Sequence, residues 1–420
     1  MLAIHGGKPL RNVAAEPWPS WPVWNDVDRS RLVQVLDSGI WSYSGPAEQA
    51  CLQWLDNYFA PCRSLLVANG TVSLQLALEA LDIGYGDEVI VPGLTWQATA
   101  AAVVDVNAIP ILVDVKSDTW CLDPELCEAA ITEKTKAIIV VHLYGCTTDM
   151  DAIMDIAKRH HLYVIEDAAH KHGGQWRNQK AGTIGDIGSF SLQLSKVLTC
   201  GEGGILLTKE DRLWERLESL RNCGRRSRNA IFDATGGQYG QEGNFIQSGN
   251  YRLSDFQSAV LLGQCERLDM QNEIRAQNAA YLDELLRTCP AITPMRTDIR
   301  ETKKVYFNYS FNYNPDELGI PTDTFRKALS AELGFKVEPS NQPLNDCSLY
   351  RPLTKRRYAI SKEYLAQIDP ARFSLPVCHD IFKRTSVMFH HKILLAGPAD
   401  MEIISEACKK IAAHKDEFRH

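Results

Sequence analysis

The chain has 420 residues, of which 45% are apolar and 23% charged, and its formal net charge is −7. That length suits one large domain with a smaller one, and so mild an acidity excludes a nucleic-acid scaffold or a polybasic membrane anchor. No apolar run approaches the roughly 20 residues that span a bilayer, "MLAIHGGKPLRNVAAEPWPSWP" lacks the basic-then-apolar order of a signal peptide, and the twelve cysteines show no CxxC or finger spacing. The expectation is a cytoplasmic protein with reduced cysteines packed as small hydrophobes, no metal, and no nucleic-acid or membrane partner.

Residues 1–25 hold several prolines and tryptophans and little periodicity, and read as an arm laid over the body or over a second subunit. Short apolar runs then alternate with helical patterns. Strand "SLLVA" (64–68) precedes helix "VSLQLALEAL" (72–81), and strand "DEVIVP" (87–92) precedes helix "QATAAAVVDV" (97–106). "IPILVDV" (109–115), "TKAIIVVHLYG" (135–145) and "LYVIEDAA" (162–169) continue the rhythm, and "IGSFSL" and "GGILLT" add two more strands. These runs are apolar throughout instead of alternating, which predicts strands buried on both faces and a mostly parallel, seven-stranded sheet covered by helices. A long helical pattern follows near 254–288, and "KVYFNYSFNY" reads as an antiparallel strand. The expected division is an arm (1–25), a large α/β domain (26–269) and a smaller α+β domain (270–420).

In open α/β sheets ligands sit beyond the carboxyl ends of the strands. Asn69-Gly70-Thr71 ends one strand and opens a helix, so its backbone N–H groups make a small phosphate cradle; alone, the same residues make an ordinary N-cap. Glu166 and Asp167 end another buried run. A carboxylate there needs a cation, or serves as a helix cap; if it meets a heteroaromatic N–H⁺, His170 on the same turn can touch the same ring. Trp96 stands where it can cover one face of such a ring, though a core tryptophan is the commoner role. Lys196 closes the apolar stretch "SFSLQLSK" just before the glycine-rich "CGEGG". A phosphate cradle, a buried carboxylate and an amine on successive strand ends are what pyridoxal 5'-phosphate requires. Glu202 either orders the lysine loop or sits in a solvated turn. His172 reads as structural or surface, and His390 with His391 as a buried structural pair, approach to the substrate being the alternative.

The motifs "NGT", "GDEVIVPGLTWQAT", "VVHLYG", "IEDAAHKHG", "SFSLQLSKVLTCGEGG" and "GNYRLSDFQSAV" stand in this order over nearly the whole chain. Together they resemble the DegT/DnrJ/EryC1/StrS family of sugar and cyclitol aminotransferases. The resemblance implies the fold type I, aspartate aminotransferase-like architecture. It implies Lys196 as the cofactor-bearing lysine, Asp167 at the pyridine nitrogen, and His170 near the ring hydroxyl. Ser191 would bind phosphate beside Gly70 and Thr71, and Trp96 would stack on the ring. It further implies a homodimer with shared sites, in which Asn250 reaches the neighbouring subunit's phosphate. Arg252 would then lie beside that site and receive a carboxylate.

Within the family, "HGGKPLR…PWPSWP", "VLDSGIWSYSGP", "IDPARFSLPVC" and "FHHKILLAGPADM" are most similar to the branch that aminates keto-cyclitols. That branch implies transfer from L-glutamine, or L-glutamate, to scyllo-inosose or 2-deoxy-scyllo-inosose in aminocyclitol biosynthesis. Polar "WSYS" supplies Trp41 and Tyr43 as candidates for the hydroxylated ring; an ordinary loop is the alternative. Arg252 is the form usual in nucleotide-sugar enzymes, and "DAAHKHG" and "NCGRR" also resemble amino-hydroxybenzoate synthases. Arg225, Arg226 and Arg228 could meet a nucleotide diphosphate. Lysine at 196 argues against the family's dehydratases, which carry histidine there, and the full cofactor set argues against a non-catalytic member.

Overall fold

The computed structural model describes residues 1–225 and 246–418. Its strands, in chain order, are β1 (Arg63–Val67), β2 (Glu88–Pro92), β3 (Ile109–Val113), β4 (Thr135–Val141), β5 (Tyr163–Asp167), the two-residue strands β6 (Gln175–Trp176) and β7 (Gln179–Lys180), β8 (Ile187–Ser191), β9 (Gly204–Thr208), β10 (Ile292–Pro294), β11 (Asn308–Tyr313) and β12 (Ser386–His390). Seven of them form one sheet in the order β1-β9-β8-β5-β4-β2-β3. Pairing is parallel from β8 to β3, and antiparallel where β9 meets β8 and β1. The mostly parallel seven-stranded sheet is therefore present. Its strands are buried on both faces, as their unbroken apolar runs require. One core, around Leu76, Val91, Ile139 and Ile165, lies on one side of the sheet; two others, around Phe59, Phe190 and Leu268 and around Ile90, Ile138 and Val164, complete it.

A second, three-stranded antiparallel sheet, β10-β11-β12, packs with the helices Thr322–Leu333 and Pro398–Ala413 around Tyr309, Phe325 and Met401. The helix Asp255–Leu286 serves both cores: Leu261, Cys265 and Leu268 face the large sheet, whereas Ala279, Leu282 and Leu286 face the small one. The expected break at 269/270 thus falls inside a continuous helix. Nor does the chain after 270 stay with the small sheet. Leu344, Tyr350, Tyr364, Leu375 and Cys378 join the core of the large sheet. The N–H groups of Val377 and Cys378 donate to the buried Asp114 carboxylate at 2.8 and 2.9 Å. Residues 1–25 lie against the rest of the chain. Leu2 is buried against the small-sheet core, Arg11 pairs with Asp400, Trp18 donates to the Leu333 carbonyl at 2.8 Å, and Trp21 reaches the lysine loop. All twelve cysteines are unpaired and ten are buried.

Candidate active site

The carboxyl ends of β1, β5 and β8 and the loops after them gather the predicted groups. Asn69 caps the helix Gly70–Ala80, its side chain accepting from the Val72 N–H at 2.9 Å. A Cβ on Gly70 would stand 2.6 Å from the Ser191 Cβ, so only glycine lets this helix start touch the end of β8. Gly204 is similarly confined: a Cβ there would lie 2.6 Å from the Asn69 carbonyl oxygen. Gly70, Thr71 and Ser191 therefore share one concave corner, lined by a helix start and hydroxyls, which fits a phosphate.

Neighbouring residues of a strand face opposite sides of a sheet, and β5 uses this to separate two carboxylates. Glu166 is wholly buried and accepts from the ring of His142 at 3.0 Å and from the N–H groups of Gly182, Ile184 and Gly185. His142 Nδ1 accepts from the Thr148 N–H, which puts the ring proton on Nε2, toward Glu166. Glu166 is thus fully used in holding the turn 182–185. Asp167 faces the other way. Its partners are the Thr99 hydroxyl at 2.9 Å and the Ala169 N–H at 3.3 Å. Burial pushes its carboxyl above the usual range, against the Thr99 bond and the nearby charge of Lys196. A buried carboxylate bonded by a hydroxyl and an amide, with acceptor capacity left, fits a group that brings an N–H⁺.

Lys196 lies across this space. Its Nζ sits 4.1 Å from the centre of the Phe307 ring, and burial lowers its proton affinity to about 8 despite the attraction of Asp167. His170 stacks on the other aromatic neighbour surface: its ring lies 4.0 Å from that of Phe307 at 13°. Its Nδ1 accepts from the Tyr144 N–H at 3.2 Å, so the proton sits on Nε2; burial, with Lys196 nearby, keeps the ring neutral. Trp96 is 51% exposed, which removes the core-tryptophan alternative and leaves its face open beside Thr95 and Thr99. His172 is fully buried beside Phe190. Glu202 is exposed; it is its backbone carbonyl that takes part in the fold, accepting from Gln257 at 2.6 Å.

The remaining predicted residues stand elsewhere on the same chain. Arg252 bridges to Val67 on the free edge of β1, so β1 and β9 lie between it and β8. Its guanidinium sits 4.3 Å from the centre of the Tyr43 ring and donates to the Asn222 side chain at 2.9 Å. Asn250 is exposed beside it, and Trp41 packs near Phe256. Trp41, Tyr43, Asn250 and Arg252 thus form one surface group at the sheet edge, apart from Lys196. Arg226 and Arg228 lie outside the described residues. Sequence reasoning missed Thr99, which is signalled only by its spacing of four from Thr95, and Phe307, which carries no motif.

A profile of the DegT/DnrJ/EryC1/StrS aminotransferase family matches residues 24–385. The chain is 43% identical, over 100% of its own length and 99% of the relative's, to an L-glutamine:2-deoxy-scyllo-inosose aminotransferase of Streptoalloteichus tenebrarius. It is 42% identical to an L-glutamine:scyllo-inosose aminotransferase of Streptomyces griseus, covering 98% of this chain and 97% of that one. Among solved structures it is similar to 3-amino-5-hydroxybenzoic acid synthase, with a TM-score of 0.80, 29% identity and coverage of 97% and 100%.

Proposed function

The chain belongs to the DegT/DnrJ/EryC1/StrS aminotransferase family, and we propose that it moves an amino group from L-glutamine to a keto-cyclitol of the scyllo-inosose type, using pyridoxal 5'-phosphate. The observation that carries the chemistry is the half-buried Lys196 amine, near a buried Asp167 that is bonded by a hydroxyl and an amide. Full-length similarity to enzymes named for scyllo-inosose and its 2-deoxy form supports the acceptor.

Gly70, Thr71 and Ser191 would hold the cofactor's phosphate, Trp96 would cover one face of its ring, Asp167 would keep its nitrogen protonated, and His170, with its proton on Nε2, would stand near the ring hydroxyl. When bound, the cofactor supplies the electron sink that makes a Cα–H bond acidic. Lys196 Nζ, poised near neutrality, is the base that takes that proton and returns it.

The working unit is a homodimer in the cytoplasm. Trp24, Val27, Leu36, Ile40, Trp41 and Leu194 are each about half exposed, an apolar surface that suits a second copy of the chain. Through it, Asn250 reaches the neighbouring subunit's phosphate, and Arg252 binds the donor's carboxylate bidentately with Tyr43 and Trp41 beside the acceptor. Unpaired, mostly buried cysteines support a reducing compartment. Among the described residues, no helix is long and apolar enough to cross a membrane.

The test offers the protein, loaded and supplied with L-glutamine, a panel of scyllo-inosose, 2-deoxy-scyllo-inosose and nucleotide-linked keto-sugars. The cyclitols should be aminated and the nucleotide sugars not. Faster amination of a nucleotide sugar than of either cyclitol would leave the aminotransferase and overturn its acceptor.

A further inference from the structure

The loop that carries Lys196 is held partly from within. Leu192 donates to the Gly203 carbonyl at 2.8 Å, Lys196 N–H to the Gln193 carbonyl at 2.8 Å, and Ser195 to the Gln193 side chain. The carbonyls of Leu194 and Ser195, the two residues just before the lysine, instead accept from outside. Trp21 Nε1–H donates to the Leu194 oxygen at 2.9 Å, and His391 Nε2 is 3.0 Å from the Ser195 oxygen. A carbonyl can only accept, so Nε2 bears the proton and Nδ1, which is buried without a partner, is bare.

The two donors come from distant parts of the chain, the arm and the segment after β12. They meet edge to face, with ring centres 4.6 Å apart at 84°. Arg275, wholly buried on the helix Asp255–Leu286, stands 5.1 Å from the Trp21 ring centre with Nε and Nη2 unbonded. Burial, then Arg275 and His390, hold the His391 ring neutral, and Lys196 adds to the same effect. A neutral ring has one N–H to give, and it is committed to Ser195. The His391 backbone N–H also donates to the Phe307 carbonyl at 3.3 Å, and Phe307 is the ring under the lysine amine.

We infer that Trp21 and His391 are positioning residues, a two-sided clamp on consecutive carbonyls that fixes Lys196 in its half-buried place over Phe307. Each donates to a loop carbonyl and so acts on the amine through the loop. The inference rests on Lys196 being the reactive amine, and its test reads that amine directly, apart from turnover or acceptor choice.

The experiment measures how labelling of Lys196 by acetic anhydride depends on pH in the cofactor-free, full-length protein, followed by peptide mass spectrometry. A second readout is the pH midpoint of the visible absorbance once pyridoxal 5'-phosphate is added. Trp21→Phe keeps a ring and loses the N–H; His391→Leu loses the donor; His391→Gln keeps one at similar reach. In Trp21→Phe and His391→Leu the labelling midpoint should rise from about 8 by about one unit, as the amine gains water. His391→Gln should restore it. Circular dichroism establishes that each variant is folded, and Trp21→Phe, a change on the surface arm, decides the matter if His391→Leu does not fold. An unmoved midpoint in folded Trp21→Phe overturns the clamp. A His391→Gln midpoint as displaced as that of His391→Leu would reduce His391 to a space-filling role and overturn its half of it.

Discussion

Burial of Lys196 costs folding stability, a cost that its proposed role as the reacting amine would explain. Its folded-state proton affinity lies below that of an exposed lysine, so the unfolded chain binds more protons between about pH 8 and 10.5, and the full penalty applies below that window. Lys196→Met should therefore raise the melting temperature of the cofactor-free protein at pH 7, by on the order of 2–3 kcal/mol of stability, while abolishing transamination. A lower melting temperature for the folded variant would contradict the burial argument. Asp167→Asn keeps shape and removes charge; turnover should fall about a hundredfold or more, and near-normal turnover would remove Asp167 from its role. Both residues were legible in the sequence because an ionisable group ending an apolar run has few bland explanations. Thr99 and Phe307 were not, since a threonine in a helix and a phenylalanine just before a strand look the same whether they face a core or a site.

The elements of the large sheet were legible because each strand is a short, fully apolar run and each crossover helix has its own period. Strand β8 and the helix Gly70–Ala80 meet through the Ser73 and Ser189 hydroxyls, 2.5 Å apart, and at their ends through the close approach that Gly70 allows to Ser191. Gly70→Ala must part the corner by several tenths of an ångström. Affinity for pyridoxal 5'-phosphate should drop about tenfold, or about 1.4 kcal/mol, with the fold intact by circular dichroism; equilibrium dialysis that finds less than a twofold change would show that the corner does not hold the phosphate. What could not be read was the path after residue 270. Leu344 lies in an irregular segment, and Tyr364 and Cys378 lie in the helices Lys362–Gln367 and Pro376–Asp380, too short to show a period; their attachment to the large sheet depends on partners such as Asp114 that lie far back in the chain. The edge position of Arg252 and Tyr43 was also hidden, because it follows from the pairing of Arg252 with Val67 and not from any local pattern.

At the scale of the whole molecule, the proposed sharing of sites makes a sharp prediction. Mixing Lys196→Ala with Asn250→Ala protein should restore activity through heterodimers in which one site carries both lesions and the other none; no recovery with heterodimers demonstrated would refute the sharing. Stability toward acid is a second global property. His170, His172, His390 and His391 are all held neutral by burial, the second at about 3 and the third at about 4. Depressed values mean that the unfolded chain takes up protons first as pH falls below about 6.5. The melting temperature should thus decline already between about pH 6.5 and 5, before carboxylates titrate, and His172→Leu should flatten that decline. A level profile over that interval in the unaltered protein would count against it. The arm adds a consequence in time. Arg11 finds its partner Asp400 only 389 residues later, and Trp21 shares the lysine loop with His391. At ribosomal speeds of about 5–20 residues per second, the first of these pairs waits roughly 20–80 s for its second member to be made. The large sheet can assemble while synthesis continues, but the loop bearing Lys196 acquires both of its holders only when the chain is almost complete, so a nascent or prematurely ended polypeptide would carry the lysine without the setting that tunes it.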